Sequence, residues 1–128
     1  MIAHLSIGVR DLDKSKRFYD FVLASLGYRC LRAARTMPGY GYGRDSIVLW
    51  VVSAERPVPA DEKSGLHICF MAPSADAVDA FHAAALRAGG QDNGAPGPRP
   101  IYGRDYYAAF IIDPDGYRIE AYYGPGET

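Results

Sequence analysis

Gly65-Leu66-His67-Ile68-Cys69-Phe70-Met71 sets Leu66, Ile68 and Phe70 in alternation with His67, Cys69 and Met71. That is the period-2 pattern of a strand with one apolar and one mixed face. Near the start of the chain Ala3, Leu5, Ile7 and Val9 alternate in the same way with His4, Ser6 and Gly8. Sliding the chain against itself by 63 residues, the separation of His4 from His67, also aligns Asp13 with Asp76, Phe18 with Phe81, Leu23 with Leu86 and Gly27 with Gly90. The sequence therefore reads as an internal duplication, each copy opening on a strand that carries a histidine on its less apolar face.

Outward from the first strand, Asp11 to Asp13 open a helix with Leu12, Phe18, Phe21, Val22 and Leu26 at helical spacing, stopping before Gly27. Strands are predicted over Tyr28–Ala33, Gly39–Gly43 and Ser46–Ser53, the last a β-branched and aromatic run around Trp50, before a Pro- and charge-rich loop at Ala54–Ser64. In the second copy a helix starting near Ser74 carries Val78, Phe81, Ala85 and Leu86. Asn93–Pro100 is too rich in Gly and Pro for a regular element, and strands near Tyr106–Ile112 and Tyr117–Tyr123 are joined by Asp113-Pro114-Asp115-Gly116. Each half reads as strand, helix and three strands, the second less regularly. The expected fold is α+β: two paired βαβββ modules, residues 1–55 and 65–125 of one domain spanning 1–128, with curved mixed sheets around a central cavity. Halves this small cannot stabilise a core alone, so they must share one, within a chain or by exchange in a dimer.

At 128 residues, 48% hydrophobic and 23% charged, the chain has the composition of a folded globular domain and not of a disordered tail. Fourteen basic against fifteen acidic residues give a net charge of −1, which leaves no field to hold a nucleic acid. Met1-Ile2-Ala3-His4 carries no basic and apolar leader, and no run of about 18 apolar residues occurs, so a cytoplasmic location without membrane association is expected. Cys30 and Cys69 lack the CxxC spacing of a zinc or redox site and read as reduced core thiols.

A metal site needs ligands converging from separate strands, and His4 and His67 occupy pseudo-equivalent strands. A strand histidine alone is ordinarily a hydrogen-bonded interior residue; its repetition, with an inward carboxylate, suggests more. In the last strand Arg118, Glu120 and Tyr122 alternate with Ile119, Ala121 and Tyr123, which places Glu120 in polar company. Two histidines and one carboxylate suit Fe, Mn, Ni, Co or Zn. His82, on the second helix, is set aside as a partly exposed helix residue. Gly39-Tyr40-Gly41-Tyr42-Gly43 lacks the following Lys-Ser/Thr and helix of a phosphate loop. Trp50 and the tyrosines crowded into the final quarter, Tyr102, Tyr106, Tyr107, Tyr117, Tyr122 and Tyr123, are candidates to line a pocket for a small organic ligand. Arg99 and Arg104 could hold a carboxylate there.

Ser15-Lys16-Arg17-Phe18-Tyr19 leading to Leu26-Gly27-Tyr28, together with Asp113-Pro114-Asp115-Gly116-Tyr117-Arg118-Ile119-Glu120, resembles the vicinal oxygen chelate superfamily of glyoxalase I, bleomycin-resistance proteins and extradiol dioxygenases. The resemblance covers the whole chain. It implies paired βαβββ modules, commonly a homodimer, and a divalent metal on the inner sheet faces. The matching ligands are His4, His67 and Glu120, with Glu120 also the candidate proton-transfer group. Glyoxalase I proteins add a Glu or Gln in the last strand of the first module, where this chain has Ile47-Val48-Leu49-Trp50-Val51-Val52, and Glu55 falls beyond the strand's end. The expected function is a glyoxalase-like metalloenzyme of the lyase or isomerase class that chelates neighbouring oxygens of a small substrate. The alternatives are an extradiol-type dioxygenase with the same triad and a non-catalytic binding protein that sequesters a small molecule.

Overall fold

Asp11 and Ser74 each start a helix. Both have extended backbone, and their side chains accept from the N–H groups of Lys14 and Ala77, each at 3.1 Å, satisfying a donor the helix itself leaves open. Helices α1 (Leu12–Ala24) and α2 (Ala75–Arg87) follow, and they obey the 63-residue offset. The computed structural model describes residues 1–33, 36–58 and 62–124. Positions 59–61 of the Pro- and charge-rich loop, and position 125 at the end of the second repeat, lie outside the described residues.

Among the described residues the strands form two four-stranded mixed sheets. The first contains β1 (Leu5–Val9), β2 (Arg29–Arg32), β3 (Gly39–Tyr42) and β4 (Ser46–Ser53) in the order β1-β4-β3-β2. The second contains β5 (His67–Met71), β6 (Gln91–Pro98), β7 (Tyr107–Ile112) and β8 (Arg118–Tyr123) in the order β5-β8-β7-β6. In each the first strand pairs parallel with the last, and the remaining pairs are antiparallel. This is the α+β duplication expected from the sequence.

A single apolar core joins the two halves. Ile7, Val9, Leu49 and Val51 of the first sheet, Phe18 and Val22 of α1, Phe81 and Ala85 of α2, and Ile111 and Ile119 of the second sheet are all buried in one cluster. Burying one such large side chain contributes roughly 1.5–3 kcal/mol, and a module cut from its twin would lose part of that at every contact. Because strand residues alternate, the helix-facing positions are consumed by this core. The opposite faces, bearing Ser6 and Trp50 on one sheet and Cys69 and Glu120 on the other, lie outside it.

Polar contacts lock the halves together at the Asp113–Gly116 turn. Tyr19 on α1 donates to Asp113 Oδ2 at 2.5 Å, and Asp113 Oδ1 accepts from the N–H groups of Asp115 and Tyr117 at 2.9 and 2.8 Å. Asp115 accepts in turn from the Arg10 N–H and the Ser15 hydroxyl, and the Tyr117 hydroxyl donates to Gly8 O at 2.6 Å. Asp113 is only 3% exposed. Burial raises its pKa, and the donors around it pull in the opposite direction.

Three expectations are corrected. The segment Gln91–Pro98 is a strand despite its Gly and Pro content, because it lies at the edge of its sheet and its register slips between Asp92 and Gly94 and again between Gly94 and Gly97. Neither cysteine is a buried core thiol: Cys69 is exposed and Cys30 is only partly buried against the core. The glycine stops differ by one position from the alignment. Gly27 and Gly89 hold the positive φ that ends each helix, whereas at Gly90 a Cβ would come within 2.9 Å of Ala85 O, so Gly90 serves close packing.

Tyr19→Phe should leave Asp113 short of a donor and cost about 1.5–3 kcal/mol, read as a lower urea midpoint. A carboxyl with a raised folded pKa contributes stability at low pH that is lost as the pH climbs through that value. Removing the Tyr19 donor raises it further, so the deficit of the variant should widen with rising pH.

Candidate functional site

The β5–β8 and β7–β8 registers build the site. Cys69 and Phe110 stand opposite Glu120 on either side, and His67 stands opposite Arg118, so all five residues share the face turned away from the core. His67 Nε2 lies 2.7 Å from Glu120 Oε1, and the Tyr106 hydroxyl donates to Glu120 Oε2 at 2.5 Å. Both carboxylate oxygens are thereby held, and Glu120 is 5% exposed while the His67 side chain is 41% exposed. Tyr106 lies stacked on Tyr122 at 4.7 Å, with Tyr102 beside it at 5.6 Å. His67, Tyr102, Tyr106, Phe110 and Glu120 line a cavity of about 430 Å³.

Burial, and then the bond to Glu120, push the Tyr106 phenol well above its usual range, so at ordinary pH it is a donor. The Cys69 thiol, on an otherwise exposed residue, is pushed up to about 12 by desolvation and by the Glu120 charge. It is a poor nucleophile.

His4 lies elsewhere. It is exposed just before β1, its ring edge-on to Trp50 at 6.5 Å, and it lines a separate hollow of about 340 Å³ with Tyr28, Tyr42, Cys69 and Met71. Among the described residues, no three His, Cys, Asp or Glu side chains converge within the chain as a metal site. The structure thus brings His67 and Glu120 together and leaves His4 apart from them. His82 pairs with Asp92 at 2.9 Å, and Glu55 is exposed beyond β4.

The aromatic candidates separate likewise. Tyr102 lines the cavity and Tyr122 lies beneath Tyr106. Tyr107 faces the other way, donating to Asp79 of α2 at 2.6 Å, and with Arg104 it lines a neighbouring hollow. Trp50 belongs to the first sheet, packed over Gly39, where a Cβ would come within 2.6 Å of the indole. Tyr106 is one of the final-quarter tyrosines that the sequence offers as pocket lining, and it lines the cavity; Phe110 is not among the sequence candidates. Phe110 was within reach: once the turn at Asp113–Gly116 is assigned, counting back along the hairpin pairs it with Glu120. Tyr106 opens the predicted strand and stands just before β7 in the structure, and alternation back from Phe110 puts it on the face of Glu120.

The chain belongs to the Glyoxalase/Bleomycin resistance protein/Dioxygenase superfamily, whose model matches residues 1–121. A Bacillus subtilis protein, YqjT, is 32% identical over 123 residues, covering 91% of this chain and 94% of its own. A Vibrio cholerae protein described as a probable lactoylglutathione lyase is 33% identical over 125 residues, covering 93% of this chain and 87% of its own. The crystal structure of a glyoxalase/bleomycin resistance protein from Albidiferax ferrireducens T118 superposes with a TM-score of 0.82 at 33% identity, covering 97% of this chain and 99% of that one. No helix among the described residues is long and apolar enough to cross a membrane.

Gly39→Ala should displace the indole of Trp50, the only tryptophan in the chain. A shifted tryptophan emission maximum is expected, with a loss of about 1–3 kcal/mol in stability if the strand must yield instead.

Proposed function

We propose that this protein is a metal-dependent enzyme of the lyase or isomerase class, acting on a small organic substrate with two neighbouring oxygens. The observation that carries the reading is the pairing of His67 with Glu120 under Tyr106. An imidazole nitrogen and a carboxylate oxygen 2.7 Å apart suit two ligands of one divalent ion, whose bonds run about 2.0–2.2 Å. His67 and Glu120 would hold the ion, with His4 of a second copy as third ligand, since His4 of the same chain lies in a different hollow. The expected assembly is a homodimer with the site shared between copies. Fe, Mn, Ni, Co and Zn all suit this donor set.

Such an ion supplies Lewis acidity to neighbouring oxygens and lowers the cost of negative charge developing on them. The residues of the chain do the rest. Tyr106 pins Glu120 Oε2, which fixes the carboxylate plane and turns Oε1 toward His67 as the oxygen that would hold the ion, and the Glu120 carboxylate is the candidate group to accept and return a proton. Tyr102, Tyr106 and Phe110 wall the cavity with ring surface, excluding water from one side of the substrate. The lyase variant is favoured by the similarity to the Vibrio cholerae protein.

A second reading, an extradiol-type dioxygenase, draws on the face of β4, where Val48, Trp50 and Val52 stand and no carboxylate offers a fourth ligand. Oxygen uptake by the iron-loaded protein would decide for it. A non-catalytic binding protein is the third outcome, expected if no divalent metal is taken up.

Protein purified without added metal should contain about one metal per chain by elemental analysis, and His4→Ala and Glu120→Gln should each lower the content at least tenfold. His82→Ala should leave it unchanged. Equal metal content in Glu120→Gln and the parent would overturn the reading, as would a sedimentation mass of one chain at micromolar concentration for the shared site.

A further inference from the structure

The cavity of the second sheet is lined by rings and one carboxylate: His67, Tyr102, Tyr106, Phe110 and Glu120. Among the described residues no aliphatic side chain lines it, whereas Ile2, Leu5, Val48, Ile68 and Met71 border the hollow beside His4. Nor does the core use these rings, since Tyr102, Tyr106 and Phe110 all stand outside the buried apolar cluster. The scheme above employs His67 for the ion and Tyr106 for Glu120. To Tyr102 and Phe110 it gives only the exclusion of water.

Both of these rings are set in place by the chain itself. Tyr102 stands on the turn between β6 and β7, where its N–H donates to Arg99 O at 2.9 Å. Its ring is the outer member of a run that continues through Tyr106 at 5.6 Å to Tyr122 at a further 4.7 Å, and the residue is 62% exposed. Phe110 lies against Gly94 of β6, where a Cβ would come within 2.9 Å of the ring. The Arg99 guanidinium, bonded to the carbonyls of Pro98 and Ala95, stands 5.4 Å from the Phe110 centroid. A ring backed in this way offers its remaining surface to the cavity. Ring surface inside a concave site gains from meeting another ring, offset-stacked or edge to face, beyond what burial alone supplies.

We infer that the substrate carries an aromatic ring, which seats against Tyr102 and Phe110 while its two neighbouring oxygens point toward His67 and Glu120. This rests on the proposed function for the oxygen pair and adds the class of organic body joined to it. A cavity of about 430 Å³ has room for a six-membered ring and a short oxygen-bearing arm. Tyr102 is the specificity-determining residue. Exposed and outside both the core and the strands, it acts through its ring and can be exchanged without disturbing the sheet that holds Glu120.

The test uses the full chain freed of metal by a chelator, titrated with phenylethylene glycol and, separately, with cyclohexylethylene glycol, and followed by ligand-observed NMR. Both compounds carry the same neighbouring oxygens, and the cyclohexyl ring is the bulkier and more apolar, so burial alone favours it. A ring-lined site reverses the order, and the phenyl compound should bind about threefold more tightly or better. Tyr102→Leu keeps an apolar side chain but removes the ring, and should bring the ratio of the two affinities to about one or below. Phe21→Leu, which removes an exposed ring from α1, should keep the parent's ratio. An equal or inverted preference in the parent, an unaltered ratio in Tyr102→Leu, or binding of neither compound would overturn the inference. Metal content is measured on separate samples. A protein that holds metal but shows no ring preference sinks this inference alone, and a ring preference in a protein that takes up no metal sinks the metal reading alone.

Discussion

The carboxylate of Asp113 is the constraint on which the rest of the molecule depends. Nearly sealed from solvent, it accepts from two backbone N–H groups of its own turn and from the Tyr19 hydroxyl of the other module. The backbone bonds fix the turn between β7 and β8, and that turn sets the register in which Phe110 faces Glu120. The bond to Tyr19 docks the same hairpin on α1. One acidic side chain thus couples the register of the site-bearing strand to the packing of the two halves, which gives a physical reason for the acidic turn that makes the family likeness visible.

Much of the fold was legible because duplication doubles the signal. A single alternating strand is ambiguous, but the repeated strand and helix at a fixed offset left little freedom, and α1 and α2 follow that offset. What escaped was governed by position in a sheet. Gln91–Pro98 looks like a loop by composition and forms a strand because an edge tolerates missing donors and slipped register. Cys69 was assigned to the core by residue type, whereas alternation with Ile68 and Phe70 puts it on the face of His67.

The candidate site was legible in part. Alternation put His67 and Glu120 on a common face, and the structure brings them within hydrogen-bond distance. Alternation back from Phe110 also puts Tyr106 on that face, but its bond to the carboxylate is a contact between strands that local pattern does not specify. The separation of His4 from that pair is a matter of which faces meet, and local pattern carries no information about it.

The edge strand Gln91–Pro98 has a consequence for behaviour at high concentration. An outer strand with all its amides free is a template on which another chain can lay a strand of its own. Here Pro96 and Pro98 have no amide hydrogen to offer, and the two register slips break the even spacing a newcomer would need to match. Sheet extension at that margin is closed off. Crowded copies can therefore approach through side-chain surfaces there, but they cannot polymerise along it into a continuous sheet.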